Sequence, residues 1–224
     1  MTELRVAGAV IIVALVGFNA AFIGLGRAFE YPGIVRRPAS EILERYRAGG
    51  ARLRGLWYAF MASGLLFIAV PLLLHPILEA RGAQPVMLAT GLGILAGLTQ
   101  VLGLLRWSFL VPFLADEHAR TTDPVRRDSI QLAFESAHRY LGMGVGEHLG
   151  YLFTGAWTIA MALLLPQARL VAPMLGWIGL VPALAILIGL LEAFDVSWAG
   201  AVNAIGYLAF SVWLTVVGVV FLLG

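Results

Sequence analysis

Six runs of apolar residues dominate the chain, near residues 6–26, 56–75, 87–115, 141–165, 170–191 and 199–223. A helix needs about 20 such residues to cross a hydrocarbon core of roughly 30 Å, so each run is long enough to span a bilayer. Nothing in them alternates with the two-residue period of a membrane barrel strand. Backbone groups in lipid must pair within their own segment, and the pattern therefore predicts an all-α polytopic membrane protein, a six-transmembrane-helix bundle in one transmembrane domain over residues 1–224. The first run follows "MTELR" and exceeds a signal-peptide core in length, which predicts a retained first helix.

The polar segments between the runs orient them. Arg27, Arg36, Arg37, Arg45, Arg47, Arg52 and Arg54 lie between the first two spans, and Arg120, Arg126, Arg127 and Arg139 between the third and fourth. The opposite side has Arg5, Arg81 and Arg169. Eleven against three predicts that both long loops are cytoplasmic and both termini outside. Trp57 and Trp198, at the expected cytoplasmic starts of spans two and six, read as interfacial anchors.

Both loops carry helical pattern. "PASEILERYRAGGARLRG" places Ile42, Leu43 and Tyr46 on one side of a short amphipathic helix stopped by Gly49-Gly50, expected to lie on the membrane surface with its arginines among lipid headgroups. In the second loop, Asp123 before Pro124 is an N-cap and first-turn signal for a helix running directly into span four. Glu135 and Arg139 stand four apart there and are expected to pair in solvent beside His138.

Composition narrows the chemistry. Sixty per cent of the 224 residues are hydrophobic and 12% charged, with a mean hydropathy of +0.89, leaving no stretch for a separate soluble domain. All 15 basic residues are Arg and the net charge is only +2, a balance that argues against nucleic-acid binding. With no cysteine there is no disulfide, thiolate metal site or thiol nucleophile. His75, His118, His138 and His148 are scattered over the expected spans and loops, so no metal, haem or other cofactor is expected. Ser63, Ser108 and Ser211 carry no catalytic motif, and "GLGILAG" reads as a packing face at Gly93 and Gly97 rather than a phosphate loop.

Polar residues at membrane depth are the strongest site signal, because an ionisable one costs roughly 2.5–3.5 kcal/mol to insert and so needs a partner. Arg106 lies about 13 Å inside the cytoplasmic end of span three and Glu147 about 9 Å inside span four. Asn19 and Asn203 fall within one or two turns of that level, and Tyr151 shares the Glu147 helix face. These five residues form the candidate buried polar cluster, with Arg106 the expected partner of Glu147. His148 points about 100° away on a regular helix and ranks lower, as do Glu192 and Asp195 nearer the surface. Gly142, Gly146 and Gly150 make a small-xxx-small ridge suited to close helix packing.

Two stretches, "LGLLRWSFLVPFLA" at residues 102–115 and "HRYLGMGVGEHLGYLFTGAWT" at 138–158, resemble a family of bacterial integral membrane proteins known as domain of unknown function 4386. Arg106, Trp107, Pro112, Gly146, Glu147, Gly150 and Tyr151 match its pattern. The resemblance implies a multi-pass protein of the bacterial cytoplasmic (inner) membrane and supplies no catalytic residue. The sequence reading is then a small transporter-like or accessory protein in contact with membrane lipids. Its alternatives are an intramembrane enzyme acting on a lipid-like substrate and a structural subunit of a larger membrane complex, and a homo-oligomer is open to it.

Overall fold

Lipid leaves helix as the economical answer for chains this apolar, and helix is what forms. A computed structural model describes residues 2–224, with no strand among the described residues. The helices are α1 (Glu3–Phe29), α2 (Ala39–Ala80), α3 (Val86–Arg120), α4 (Pro124–Ala137), a π-helical segment (His138–Leu149), α5 (Gly150–Gln167), α6 (Pro173–Ile188) and α7 (Ala199–Leu223). Short 3₁₀ turns occupy Gly33–Arg36 and Gly189–Phe194. Six helical stretches are long and apolar enough to cross a membrane, with α4, the π segment and α5 counting as one from Pro124 to Gln167. The chain is therefore a multi-pass membrane protein.

The helix ends follow local chemistry. The Asp123 carboxylate accepts from the Val125 amide at 3.0 Å, capping α4 ahead of Pro124. At the end of α5, the Leu170 amide reaches the Leu165 carbonyl at 2.9 Å and the Arg169 amide reaches the Pro166 carbonyl at 2.9 Å, with Arg169 left-handed at φ 55°. This is a Schellman stop with arginine where glycine is usual. It escapes a search for C-terminal glycines.

Gly50 is a different kind of stop. Its φ of 54° and ψ of −148° lie in a region essentially closed to L side chains, and they break α2 between the amphipathic helix and the span. Gly50→Ala would meet no neighbouring atom, so its cost is purely conformational. We expect about 1–2 kcal/mol of destabilisation, read as a lower unfolding midpoint in detergent. A Gly55→Ala control, at an open position without positive φ, should leave the midpoint unchanged or raise it.

The chain divides into two compact units. The first comprises the chain up to Leu15, Gly64–Thr99 and His148–Gly224. Trp157, Phe210, Trp213, Val70, Leu74 and Phe221 lie in its core. The Trp213 indole donates to the Leu175 carbonyl at 2.8 Å, joining α7 to α6. Gly97 admits Ile68, and Gly93 admits Pro71 and Trp157, so that side of α3 is a packing face.

The second unit comprises Val16–Ser63 and Gln100–Glu147. Its core is aromatic: Phe29, Tyr46, Trp57, Trp107 and Phe134 are buried together. Trp57 and Trp107 stack at 4.3 Å with an interplanar angle of 6°, and Phe29 meets both edge-on. Offset stacks and edge contacts each add about 0.5–1.5 kcal/mol beyond area burial.

This core corrects three expectations. Trp57 is fully buried, so it is a core residue and not an interfacial anchor, whereas Trp198 is exposed. Ile42, Leu43 and Tyr46 are buried in the same cluster, and the Tyr46 hydroxyl donates to the Trp107 carbonyl. The amphipathic helix therefore buries its apolar face in protein rather than lipid. Glu135 and Arg139 form no ion pair among the described residues, because the helix widens at His138 and the four-residue spacing no longer closes.

The charges that do pair tie the end of α1 to the amphipathic helix. Glu30 accepts from Arg45 and Arg37, and Glu41 lies 2.6 Å from Arg37 and 3.1 Å from Arg45. Glu30 itself ends α1 in a left-handed conformation, its amide on the Gly26 carbonyl at 3.1 Å. The Arg45 hydrogen bond first, and the Arg37 charge next, hold its carboxyl below the usual carboxylate range. A depressed folded value means that the stabilisation is present above the unfolded pKa of about 4.3 and fades as pH falls through the folded one. The thermal midpoint of the wild type should exceed that of Glu30→Gln at neutral pH, and the two should converge on acidification below about pH 4. A gap that persists into acid would rule out this ion pair as its source.

Candidate functional site

Arg106 is the deepest charge of the second unit, with 7% of its surface exposed. One guanidinium nitrogen, Nη1, donates to the Gly103 carbonyl one turn back on α3. The other, Nη2, faces Nδ1 of His138 at 3.4 Å, and Cζ lies 5.2 Å from the Trp107 ring centroid. Guanidinium donates and cannot accept. His138 must therefore present an unprotonated Nδ1 and carry its proton on Nε2. The imidazole is set for this by stacking on Phe134 at 5.7 Å with an interplanar angle of 9°.

The π segment makes the approach. It contains Gly142, Gly144 and Gly146, three residues with little reason to hold a tight α turn. A Cβ on Gly142 would sit 2.6 Å from Nη2 of Arg106. A Cβ on Gly146 would sit 3.1 Å from Cα of Gly103, and one on Gly103 would sit 2.6 Å from Cα of Gly146. Backbone thus packs on backbone between α3 and the π segment. π geometry is rare in helices and is frequent at functional sites.

Two further groups act on this centre. Glu147 and Tyr31 both interact electrostatically with Arg106. Desolvation pushes the Tyr31 hydroxyl up to about 12, the Glu147 carboxylate adds to the rise and the Arg106 charge opposes it. Tyr31 is thus a neutral phenol at any working pH, packed edge-on against Trp57 at 5.1 Å. Among the described residues three donors of the unit are buried without a protein partner, Arg106 Nε, Trp57 Nε1 and the Ser108 hydroxyl. A buried unmet donor costs about 1–3 kcal/mol, and more on a charged group. The site offers a cation and unused N–H donors beside a carboxylate and a phenol, which together suit a polar or anionic group.

The other predicted residues distribute as follows. Asn19 is half-buried on α1 in the same unit. Asn203 belongs to the first unit, where it is buried and its amide donates to the Ile186 carbonyl at 2.9 Å, close to where α6 tightens into the 3₁₀ turn. Tyr151, also of the first unit, packs against Gly189 and lies 5.9 Å from the Tyr207 ring. Glu192 packs over Gly200, and Asp195 is exposed and left-handed at the end of the 3₁₀ turn. Gly150 is buried at the start of α5. Glu147 and His148 are both half-buried. Their expected 100° separation assumed α geometry, and a wider π turn brings consecutive side chains closer in angle.

Sequence reasoning missed His138, Tyr31 and Gly103 as members of this centre. His138 reads as part of a solvated helix leading into span four, because nothing in its neighbours betrays Arg106. Gly103 has a usable signal: it lies one turn before Arg106, whose guanidinium can fold back onto the Gly103 carbonyl. Among the described residues, no three histidines or acids converge into a metal site.

No curated protein and no solved structure matches the chain. The model of the family described as Domain of unknown function (DUF4386) matches residues 6–218, a stretch that includes Arg106, the π segment and the whole aromatic core of the second unit. The chain belongs to that family.

Proposed function

We propose that the chain is a transporter-like or accessory protein of the bacterial cytoplasmic membrane, with both termini outside, and that Arg106 receives the anionic part of a solute. The observation that carries this reading is the unmet Nε donor on a buried guanidinium. A purely structural arginine this buried would be expected to have its donors satisfied, since each unmet one weakens the fold. The π segment against it supports the same reading.

The test is uptake into proteoliposomes of the purified full chain, screened with radiolabelled carboxylates and phosphate esters. A solute should enter with wild-type protein and about tenfold more slowly with Arg106→Met, the loss of one charged hydrogen bond. Equal uptake by the two proteins, or none of any solute, would overturn the transport reading. Orientation is tested separately by single cysteines placed at Thr2 and Gly224 in a chain that has no other. Labelling of intact cells by an impermeant maleimide is expected at both.

A further inference from the structure

The arginine-rich end of the second unit contains a cavity that Arg106 does not line. Residues of the amphipathic helix before Gly50, the start of the following span, the end of α3 and α4 line a solvent-open cavity of about 600 Å³, within the roughly 300–1,000 Å³ range of small-molecule pockets. Its charged lining is Glu44, Arg47, Arg54, Asp116 and Arg127, with the His118 imidazole.

These charges differ in what they have left to offer. Arg47 Nε lies 3.6 Å from Asp116, so that pair largely cancels. Arg127 is oriented by one bond, Nη2 to the Thr121 carbonyl at 3.0 Å, which leaves most of its five donors. Arg54 and Glu44 form no ion pair among the described residues. The uncommitted lining is two guanidinium groups and one carboxylate.

We infer that this cavity binds a zwitterionic phosphate ester, with its phosphate on Arg54 and Arg127 and its ammonium end on Glu44. Planar guanidinium forks match phosphate oxygens, and the carboxylate matches a compact ammonium. A phosphate without a cationic end would leave Glu44 as an unanswered like charge, so the lining selects against simple anions. A phosphatidylethanolamine headgroup and free phosphoethanolamine share this chemistry.

Calorimetric titration of the full chain in detergent, with dihexanoyl phosphatidylethanolamine, dihexanoyl phosphatidylglycerol and phosphoethanolamine, tests it. Saturable binding of the ethanolamine lipid is expected, weakened about tenfold by the Arg54→Gln/Arg127→Gln double substitution and also by Glu44→Gln. All three side chains are exposed, so the melting temperature of each variant should match the wild type and certify its fold. Phosphoethanolamine binding as tightly as the lipid would support the site with a soluble ligand, and much weaker binding would support it with a headgroup. Phosphatidylglycerol bound equally well, no saturable binding of any probe, or lipid binding indifferent to the double substitution would each overturn it.

Discussion

Gly103→Ala should lower the stability of the protein by about 3 kcal/mol, near the top of the range for overpacking. The added methyl would lie 2.6 Å from Cα of Gly146 and 3.0 Å from the Leu141 carbonyl. Both are backbone atoms, so no rotamer change can relieve the contact; α3 and the π segment must separate. Gly146→Ala addresses the same contact from the other side, where the nearest atoms are 3.1 and 3.2 Å away. Neighbours there need give only a few tenths of an ångström, and the cost should be smaller. Unfolding in mixed micelles would order them wild type, Gly146→Ala, Gly103→Ala. Gly103→Ala as stable as the wild type would mean that the helices do not meet here.

This contact also shows where legibility ends. Spans were readable because lipid demands length and apolarity together, and few sequences meet both by accident. The choice between α and π over His138–Leu149 obeys no such rule. Gly142, Gly144 and Gly146 weaken the local preference for α, and the close backbone approach of Gly103 on another helix is a contact that local propensity cannot register. Ile42, Leu43 and Tyr46 teach a related lesson: an amphipathic pattern says that one face is covered, and lipid and protein leave the same imprint on it. Trp57 is ambiguous for that reason too, since a tryptophan near a span's end has the same sequence context in a core as at an interface. Arg106 was legible because depth alone makes a charge expensive. Its immediate partners were not, because His138 and Tyr31 come from segments whose burial only the folded chain reveals.

Arg106→Ala and Arg106→Met should part company. Truncation to alanine empties the space among Trp107, His138 and Gly142 and leaves the Gly103 carbonyl without its second donor. A loss of about 3–5 kcal/mol is expected, in the range for breaking a buried charged contact or hollowing a core. Methionine fills much of the same volume with a flexible, polarisable chain suited to lying against an indole. It also abolishes the desolvation of a charge with an unmet donor. Replacing a whole buried ion pair by apolar groups of similar size is often neutral or stabilising; here the Glu147 carboxylate stays but is only half-buried, so Arg106→Met should fall within about 1 kcal/mol of the wild type. Chemical unfolding of the three proteins in one detergent measures both differences. If methionine is as damaging as alanine, the guanidinium is holding the helices together and its burial needs no ligand to explain it. If methionine is tolerated, the fold does not require the charge, and the reason for an arginine at this depth must be sought in what it binds.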